Sequence, residues 1–384
     1  MPRIFISTAE VSAELHASRL VEALRRLAGN LAVDAAGGRV LAGAGAELAV
    51  NMTDRAVMGF WEALSQVPFY RRAGQSILSS LAEKSYDALV LVDAPSFHLR
   101  LARKVRSRLP GLPILYYVAP KLWAWKEWRI KSLRRDISRT LCIFPFEVDF
   151  FQSRGVDAVY VGNPTLDQLR GIDGGRLAAR MGLGKNWRKA DPARGLLSVF
   201  PGSRASELRY IWPRQAEALS LLRRRFPELR MALALAPGID PGRLAAFAPL
   251  PEWLLPVEGD SQELLAASSA VLAKSGTSTL EAAILGKPMA VCYAGHPVSY
   301  LVAKKLVRLP HVSLPNILAG REIVREFIQE AATPENLAGE VGRILSDEPY
   351  RRRMRSRLAR LRETLGDVPS ADLAAAEVTK FLSR

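Results

Sequence analysis

Apolar residues in this chain fall in short runs that do not alternate with polar ones, and each run is followed by a loop and then a longer amphipathic stretch. Arg3 to Ser7 (RIFIS) precedes a segment with Leu15, Leu20, Leu24 and Leu27 three to five residues apart, which predicts strand, loop and helix. Ala88 to Val92 (ALVLV) ends at Asp93-Ala94-Pro95, Ile114 to Val118 (ILYYV) at Ala119-Pro120, and Thr140 to Ile143 at Phe144-Pro145. A strand that is apolar on both sides must be covered on both faces, so the pattern predicts a parallel sheet between layers of helices. After Gly162-Asn163-Pro164 the polar stretch Gly171 to Arg194 intervenes, and a second series begins. Leu196 to Phe200 leads into Pro201-Gly202-Ser203-Arg204, Met231 to Ala236 into Pro237-Gly238, and Ala270 to Ala273 into Lys274-Ser275-Gly276-Thr277. The expected fold class is α/β, two doubly wound Rossmann-like domains whose strand C-terminal loops face each other across a cleft. Residues 1–165 form the first, 166–365 the second, and the helix in 366–384 crosses to the first domain or to another subunit, the latter implying a homodimer.

Composition narrows the class. With 384 residues, 49% hydrophobic and 24% charged, the chain is neither disordered nor collagen-like. The 54 Lys+Arg against 38 Asp+Glu leave a formal +16, but the excess is local. Twelve basic residues between Arg100 and Arg139 face only Glu127 and Asp136, and seven arginines between Arg351 and Arg362 face no acid, so the remainder is near neutral. A negatively charged partner is expected at those segments. Cys142 and Cys292 lie in no CxxC or Cys/His cluster, which predicts buried free thiols and no metal site. Glu10 and Glu14 interrupt any signal-peptide core, and the uncharged stretch Pro288 to Ala303 is shorter than the roughly 18 apolar residues of a membrane span. The expectation is a cytoplasmic protein, peripheral to a membrane.

Two loops carry anion chemistry. In Pro201-Gly202-Ser203-Arg204 a glycine lets backbone approach a ligand, helix N-terminal amides favour an anion, and arginine forks onto phosphate oxygens. Neither GxxxxGK followed by Ser or Thr nor GxGxxG is present. The second loop, Ser275-Gly276-Thr277 through Glu281, offers hydroxyls and amides to phosphate, with Glu281 about one turn inside to accept from ribose hydroxyls. The plain alternatives are a strand-to-helix turn with a surface arginine and a Ser/Thr-capped helix. Together the loops suggest a nucleotide diphosphate held without metal, as in GT-B glycosyltransferases.

Adding YYVAPKLWAW (Tyr116 to Trp125), VMGFWEAL (Val57 to Leu64), Asp93-Ala94-Pro95, Phe144-Pro145-Phe146-Glu147 and VSLPNILAGREIVREFIQE (Val312 to Glu330), the chain resembles the lipid A disaccharide synthase family from about residue 4 to 330. The resemblance implies an inverting GT-B enzyme, without cofactor, that transfers diacylglucosamine from a UDP donor to the 6-hydroxyl of diacylglucosamine 1-phosphate, releasing UDP. It places Asn316 and Arg321 on the nucleotide side. The family's first loop reads approximately AGExSGD; here it is Ala9-Glu10-Val11-Ser12-Ala13-Glu14, with alanines for both glycines, and Ser96 replaces an aspartate after Asp93. If those glycines need φ > 0, alanine there costs about 1 kcal/mol.

An inverting transfer needs a base for the acceptor hydroxyl and electrostatic support for the leaving diphosphate. Asp93, at a strand end, is the first candidate base and Glu10 the second; His16 and His98 lie near them in sequence but read more simply as packing residues. Trp123, Trp125 and Trp128 interleave with basic residues including Arg129, Arg134 and Arg135, which suits the headgroup region of an anionic membrane. This predicts a location at the cytoplasmic face of the inner membrane. Nucleic acid would favour similar chemistry, but no nucleic-acid-binding signature appears, so a polyanion-binding protein is the remoter rival and another UDP-sugar GT-B enzyme the nearer one.

Overall fold

The computed structural model describes residues 1–52, 67–184, 187, 191–297, 300–301 and 309–382, so the Val57 to Leu64 motif lies outside the described residues. The chain forms two compact units, Met1–Asp167 with Leu365–Arg384, and Gln168–Thr364.

In the first unit, β1 (Arg3–Ser7), β2 (Ala32–Gly37), β3 (Glu47–Asn51), β4 (Ala88–Val92), β5 (Ile114–Tyr117), β6 (Arg139–Cys142) and β7 (Ala158–Tyr160) make one sheet in the order β3-β2-β1-β4-β5-β6-β7. Every described pair in it is parallel. The central strand β4 is apolar throughout because its two sides feed two cores: Leu89 and Leu91 join one, and Ala88, Val90 and Val92 the other. Burying each such Val or Leu contributes about 1.5 to 3 kcal/mol, so a charge at Val90 would disrupt the sheet. The strand order reverses between β1 and β4, and in open parallel sheets such a reversal leaves a crevice at the strand C-termini.

The second unit repeats the plan with β8 (Leu196–Phe200), β9 (Arg230–Leu235), β10 (Leu255–Glu258), β11 (Ala270–Lys274), β12 (Met289–Tyr293) and β13 (Arg325–Ile328) in the order β10-β9-β8-β11-β12-β13. Its reversal falls between β8 and β11, whose pairing ends at Phe200 opposite Ala273. The two parallel-sheet α/β domains expected from the apolar runs are therefore present. The outermost strands β10 (LPVE) and β13 (REFI) were not foreseen: edge strands are half exposed, so they carry no apolar run to detect.

The helix Ser370–Leu382 packs within the first unit of its own chain. Ala371, Ala374, Ala375 and Val378 share a core with Leu20 and Leu24 of the helix Val11–Ala28. The Ser370 backbone N–H and hydroxyl both donate to Asp167 Oδ2 at 2.8 Å, and the Tyr160 hydroxyl donates to the Leu365 carbonyl at 2.6 Å. Among the described residues no helix is long and apolar enough to cross a membrane.

Candidate active site

Asp93 ends β4 at the strand reversal of the first unit. It and Ala94 both adopt left-handed backbone, with φ of 53° and 47°, immediately before the helix Pro95–Arg108. Consecutive left-handed residues that are not glycine are strained, at about 1 to 3 kcal/mol each, and need surrounding contacts to persist. Those contacts converge on the Asp93 carbonyl: it accepts from His98 Nδ1 at 2.7 Å and from the Tyr116 hydroxyl. A carbonyl can only accept, so His98 Nδ1 carries the proton and Nε2 accepts from the Ser7 hydroxyl 3.0 Å away. Burial pushes the His98 pKa down to about 4, keeping the ring neutral. Burial likewise raises the proton affinity of the Asp93 carboxyl above its ordinary value, opposed by the Ala94 N–H and the Lys121 ammonium. A strand-end carboxyl with raised proton affinity is suited to general-base chemistry.

Glu10 caps the helix Val11–Ala28 from an extended conformation and is exposed. It lies close enough to Asp93's surroundings that burial, then the Asp93 charge and, with Arg129 opposing, the Glu10 charge, hold the Tyr116 hydroxyl protonated. Neither Ala9 nor Ala13 has a positive φ, so the replacements for the family's glycines carry no left-handed strain. Glu14 is buried, and its Oε1 accepts from the N–H groups of Gly38 and Leu41 at 2.9 and 3.0 Å, tying the first loop to the end of β2. His16 is packed and neutral, with a pKa lowered to about 4 by burial and then by Arg19.

The two anion-friendly loops meet at the strand reversal of the second unit. Gly202 has φ 116°, and a Cβ there would lie 2.7 Å from Glu207 Oε2, so both backbone and space require glycine. Glu207 organises the loop: Oε2 accepts from the Ser203 N–H at 3.3 Å, while Oε1 lies 2.8 Å from Lys274 Nζ and 3.7 Å from an Arg204 guanidinium nitrogen. Arg204 remains largely exposed. Gly276 opens the helix Thr277–Ile284 with extended backbone, and a Cβ there would sit 3.3 Å from Lys274 Nζ. The Ser275 hydroxyl donates to the Val312 carbonyl at 2.7 Å and is thus committed to the protein, whereas Thr277 is exposed. Glu281 accepts from Gln262 at 3.3 Å, and burial raises its pKa.

Asn316 does not present its amide to a ligand. It is fully buried; Oδ1 accepts from the N–H groups of Ile323 and Val324 at 2.8 and 3.0 Å, and Nδ2 donates to the Val324 carbonyl and Glu326, each at 2.8 Å. Every polar direction of the carboxamide is used to tie the helix Leu314–Ala319 to β13 and the turn before it, so Asn316 shapes this loop from within. Arg321 is exposed beside it.

On the basic segment, Trp125 and Trp128 are 48% and 68% exposed. Trp123 departs from that surface: its indole N–H donates to Glu147 Oε1 at 2.9 Å, and its ring meets Phe146 edge to face. Arg129 reaches 3.4 Å from the Ser96 hydroxyl, toward the Asp93 loop, and Arg135 forks onto Asp136 at 2.7 and 2.6 Å. Arg134 is exposed and lines an open groove of about 460 Å³ with Trp128, Ile130 and Lys131. The later arginine run lies on the helix Glu348–Thr364, which buries Met354, Leu358 and Leu361 and exposes Arg353, Arg357 and Arg360. A cavity of about 530 Å³ among Arg194, Gly195, Arg223 and Arg230 sits at the start of β8 and β9, the end away from the loops above.

Sequence reasoning missed Glu207, the role of Lys274, and Gln329. Gln329 follows β13 with φ 55°, and its amide exchanges hydrogen bonds with the Gly295 N–H and carbonyl at 2.9 and 3.3 Å. No local spacing signals the Glu207–Lys274 pair or the Gln329–Gly295 exchange, because each joins residues distant in sequence.

Comparison with known proteins places the chain in a family. The family model described as lipid-A-disaccharide synthetase matches residues 4–378. The lipid-A-disaccharide synthase of Anaeromyxobacter dehalogenans is 40% identical, the match covering 98% of this chain and 96% of the relative; that of Myxococcus xanthus is 36% identical over 99% and 98%. In fold, the chain is similar to a calicheamicin glycosyltransferase at TM-score 0.60, with 18% identity over 100% of this chain and 99% of that one. With a family model matching nearly the whole chain and relatives of the same name up to 40% identical across it, the chain belongs to the lipid-A-disaccharide synthetase family.

Proposed function

We propose that this glycosyltransferase of lipid A biosynthesis joins the diacylglucosamine of its UDP donor to the 6-hydroxyl of diacylglucosamine 1-phosphate, with Asp93 as base. The carboxylate takes the hydroxyl proton as the acceptor oxygen bonds to the anomeric carbon, and the bond from that carbon to the UDP oxygen breaks, leaving UDP as an anion. One displacement inverts the centre, so no covalent intermediate forms. Lys274, Arg204 and the amides following Gly276 stabilise the departing diphosphate, Thr277 and Glu281 face the nucleoside side, and Glu10 orients the acceptor. Lys121 and Arg129, cations beside the Asp93 loop, suit the acceptor's phosphate. Trp125, Trp128 and Arg134 bring the protein to an anionic leaflet of the inner membrane, where both lipid substrates reside.

The observation that carries this reading is the Asp93 carboxyl, raised in proton affinity and held in strained backbone at the strand reversal. Purified protein supplied with UDP-diacylglucosamine and diacylglucosamine 1-phosphate should release UDP and form one disaccharide 1-phosphate per UDP. Release of UDP from UDP-N-acetylglucosamine, with none from the acylated donor, would assign it to another UDP-sugar reaction.

A further inference from the structure

We infer that His98 is a positioning residue for the transfer, its Nδ1–H holding the Asp93 carbonyl and thereby the left-handed turn that presents the Asp93 carboxyl. The inference rests on the reading of Asp93 as base. Two donors from different elements, His98 on the helix Pro95–Arg108 and Tyr116 on β5, converge on this one carbonyl. A third element completes the pairing: because the Asp93 carbonyl can only accept, Nδ1 carries the ring hydrogen, and Ser7, at the end of β1, donates its hydroxyl to Nε2 3.0 Å away. Ser7 and His98 are both fully buried, so water does not compete for either bond. A buried ring that merely filled space would leave its nitrogens unused or water-linked. Here both are used, and the strands β1, β4 and β5 are tied to a single oxygen at the strand reversal.

The tautomer argument gives a test with built-in controls. Asparagine places a donor where Nδ1 stands and has nothing at Nε2; glutamine places its amide near Nε2 and has nothing at Nδ1; leucine supplies neither. Purified full-length His98→Asn should keep kcat within about threefold of the parent, whereas His98→Gln and His98→Leu should lose about thirtyfold or more, since a carboxyl misplaced by about 1 Å can cost a hundredfold. UDP affinity should be unchanged in all three, because the nucleotide loops lie in the other unit. Ser7→Ala, a small change, should lower kcat several-fold. In protein labelled with ¹⁵N-histidine, the imidazole whose signals disappear in His98→Leu should remain neutral and Nδ1-protonated down to about pH 5.

A His98→Leu variant with parental kcat, a His98→Asn variant as inactive as leucine with UDP binding intact, or an Nε2-protonated ring would each overturn the inference. Asp93→Asn is measured beside them. If it loses turnover while His98→Leu keeps it, the base stands and His98 falls; if it keeps turnover, the reading of Asp93 itself fails.

Discussion

Lys274 Nζ lies 2.8 Å from Glu207 Oε1, so one ion pair joins the loop after β11 to the loop after β8. Both side chains are mostly buried, at 17% and 14% exposure, while Arg204 is 68% exposed. A charge-assisted contact in a sheltered site contributes about 1.5 to 3 kcal/mol, and an exposed one less than about 1 kcal/mol. Lys274→Met should therefore weaken UDP binding at least about tenfold and Arg204→Ala by a few-fold. Isothermal calorimetry measures both, and an unchanged affinity for the lysine variant would remove it from the diphosphate site.

The raised affinity of Asp93 for its proton sets opposite pH responses of rate and stability. Turnover needs the carboxylate, so kcat should rise with pH through a limb shifted upward from that of an ordinary aspartate, and Asp93→Asn should abolish most turnover together with that limb. Because the folded value is raised above the ordinary aspartate value of 3.8, the protonated acid favours folding below that pH, and this stability is lost as pH rises through the folded value. Asp93→Asn should accordingly be more stable than the parent at neutral pH. Denaturant titrations at neutral pH showing the reverse would contradict the buried charge.

Glu147 offers a larger window. Burial raises its carboxyl from 4.5 to about 7, against the Trp123 indole and the N–H groups of Phe144 and Ile143, which favour the charge. Stability from this acid is complete below about pH 4.5 and is lost as pH passes about 7. The full loss is about 3 kcal/mol at the usual 1.36 kcal/mol per pKa unit. Glu147→Gln stays neutral, so the parent should lose stability relative to it between pH 5 and pH 9. A difference in unfolding free energy that is flat across that range would rule the shift out.

Membrane contact is testable by salt. Trp128→Ala should weaken binding to vesicles containing anionic phospholipid at every ionic strength, since it removes apolar contact. Arg134→Glu should weaken it more at 0.05 M than at 0.5 M salt, because exposed charges are screened within about 10 Å at 0.1 M. A salt-independent effect of the arginine change in a vesicle-sedimentation assay would point away from an electrostatic surface.

The central strands were legible because burial on both faces leaves almost no polar positions: ALVLV, and LLSVF with its one buried serine, can hardly be anything else once followed by turn residues. The Asp93 loop and the two anion-friendly loops were legible for the same reason, as punctuation after such runs. Strand order was not, since it depends on pairings between segments far apart, and with it went the meaning of Lys274, whose partner Glu207 belongs to a different loop. Trp123 and Asn316 show what a motif leaves unsaid about its own support. Each belongs to a conspicuous motif, yet Glu147 holds the first and β13 absorbs the second, so the motif marks how the loop is held rather than what it touches.

The return of the helix Ser370–Leu382 to the first unit also orders events during synthesis. The helix Val11–Ala28 emerges from the ribosome early, but the side chains that complete its core, Ala374, Ala375 and Val378, follow only after the whole second unit has been translated. Until then, the apolar face around Leu20 and Leu24 lacks its native cover and is open to chaperones or to other nascent chains. A nonsense codon after residue 364 would spare the second unit and strike the first, the part of the protein translated longest before.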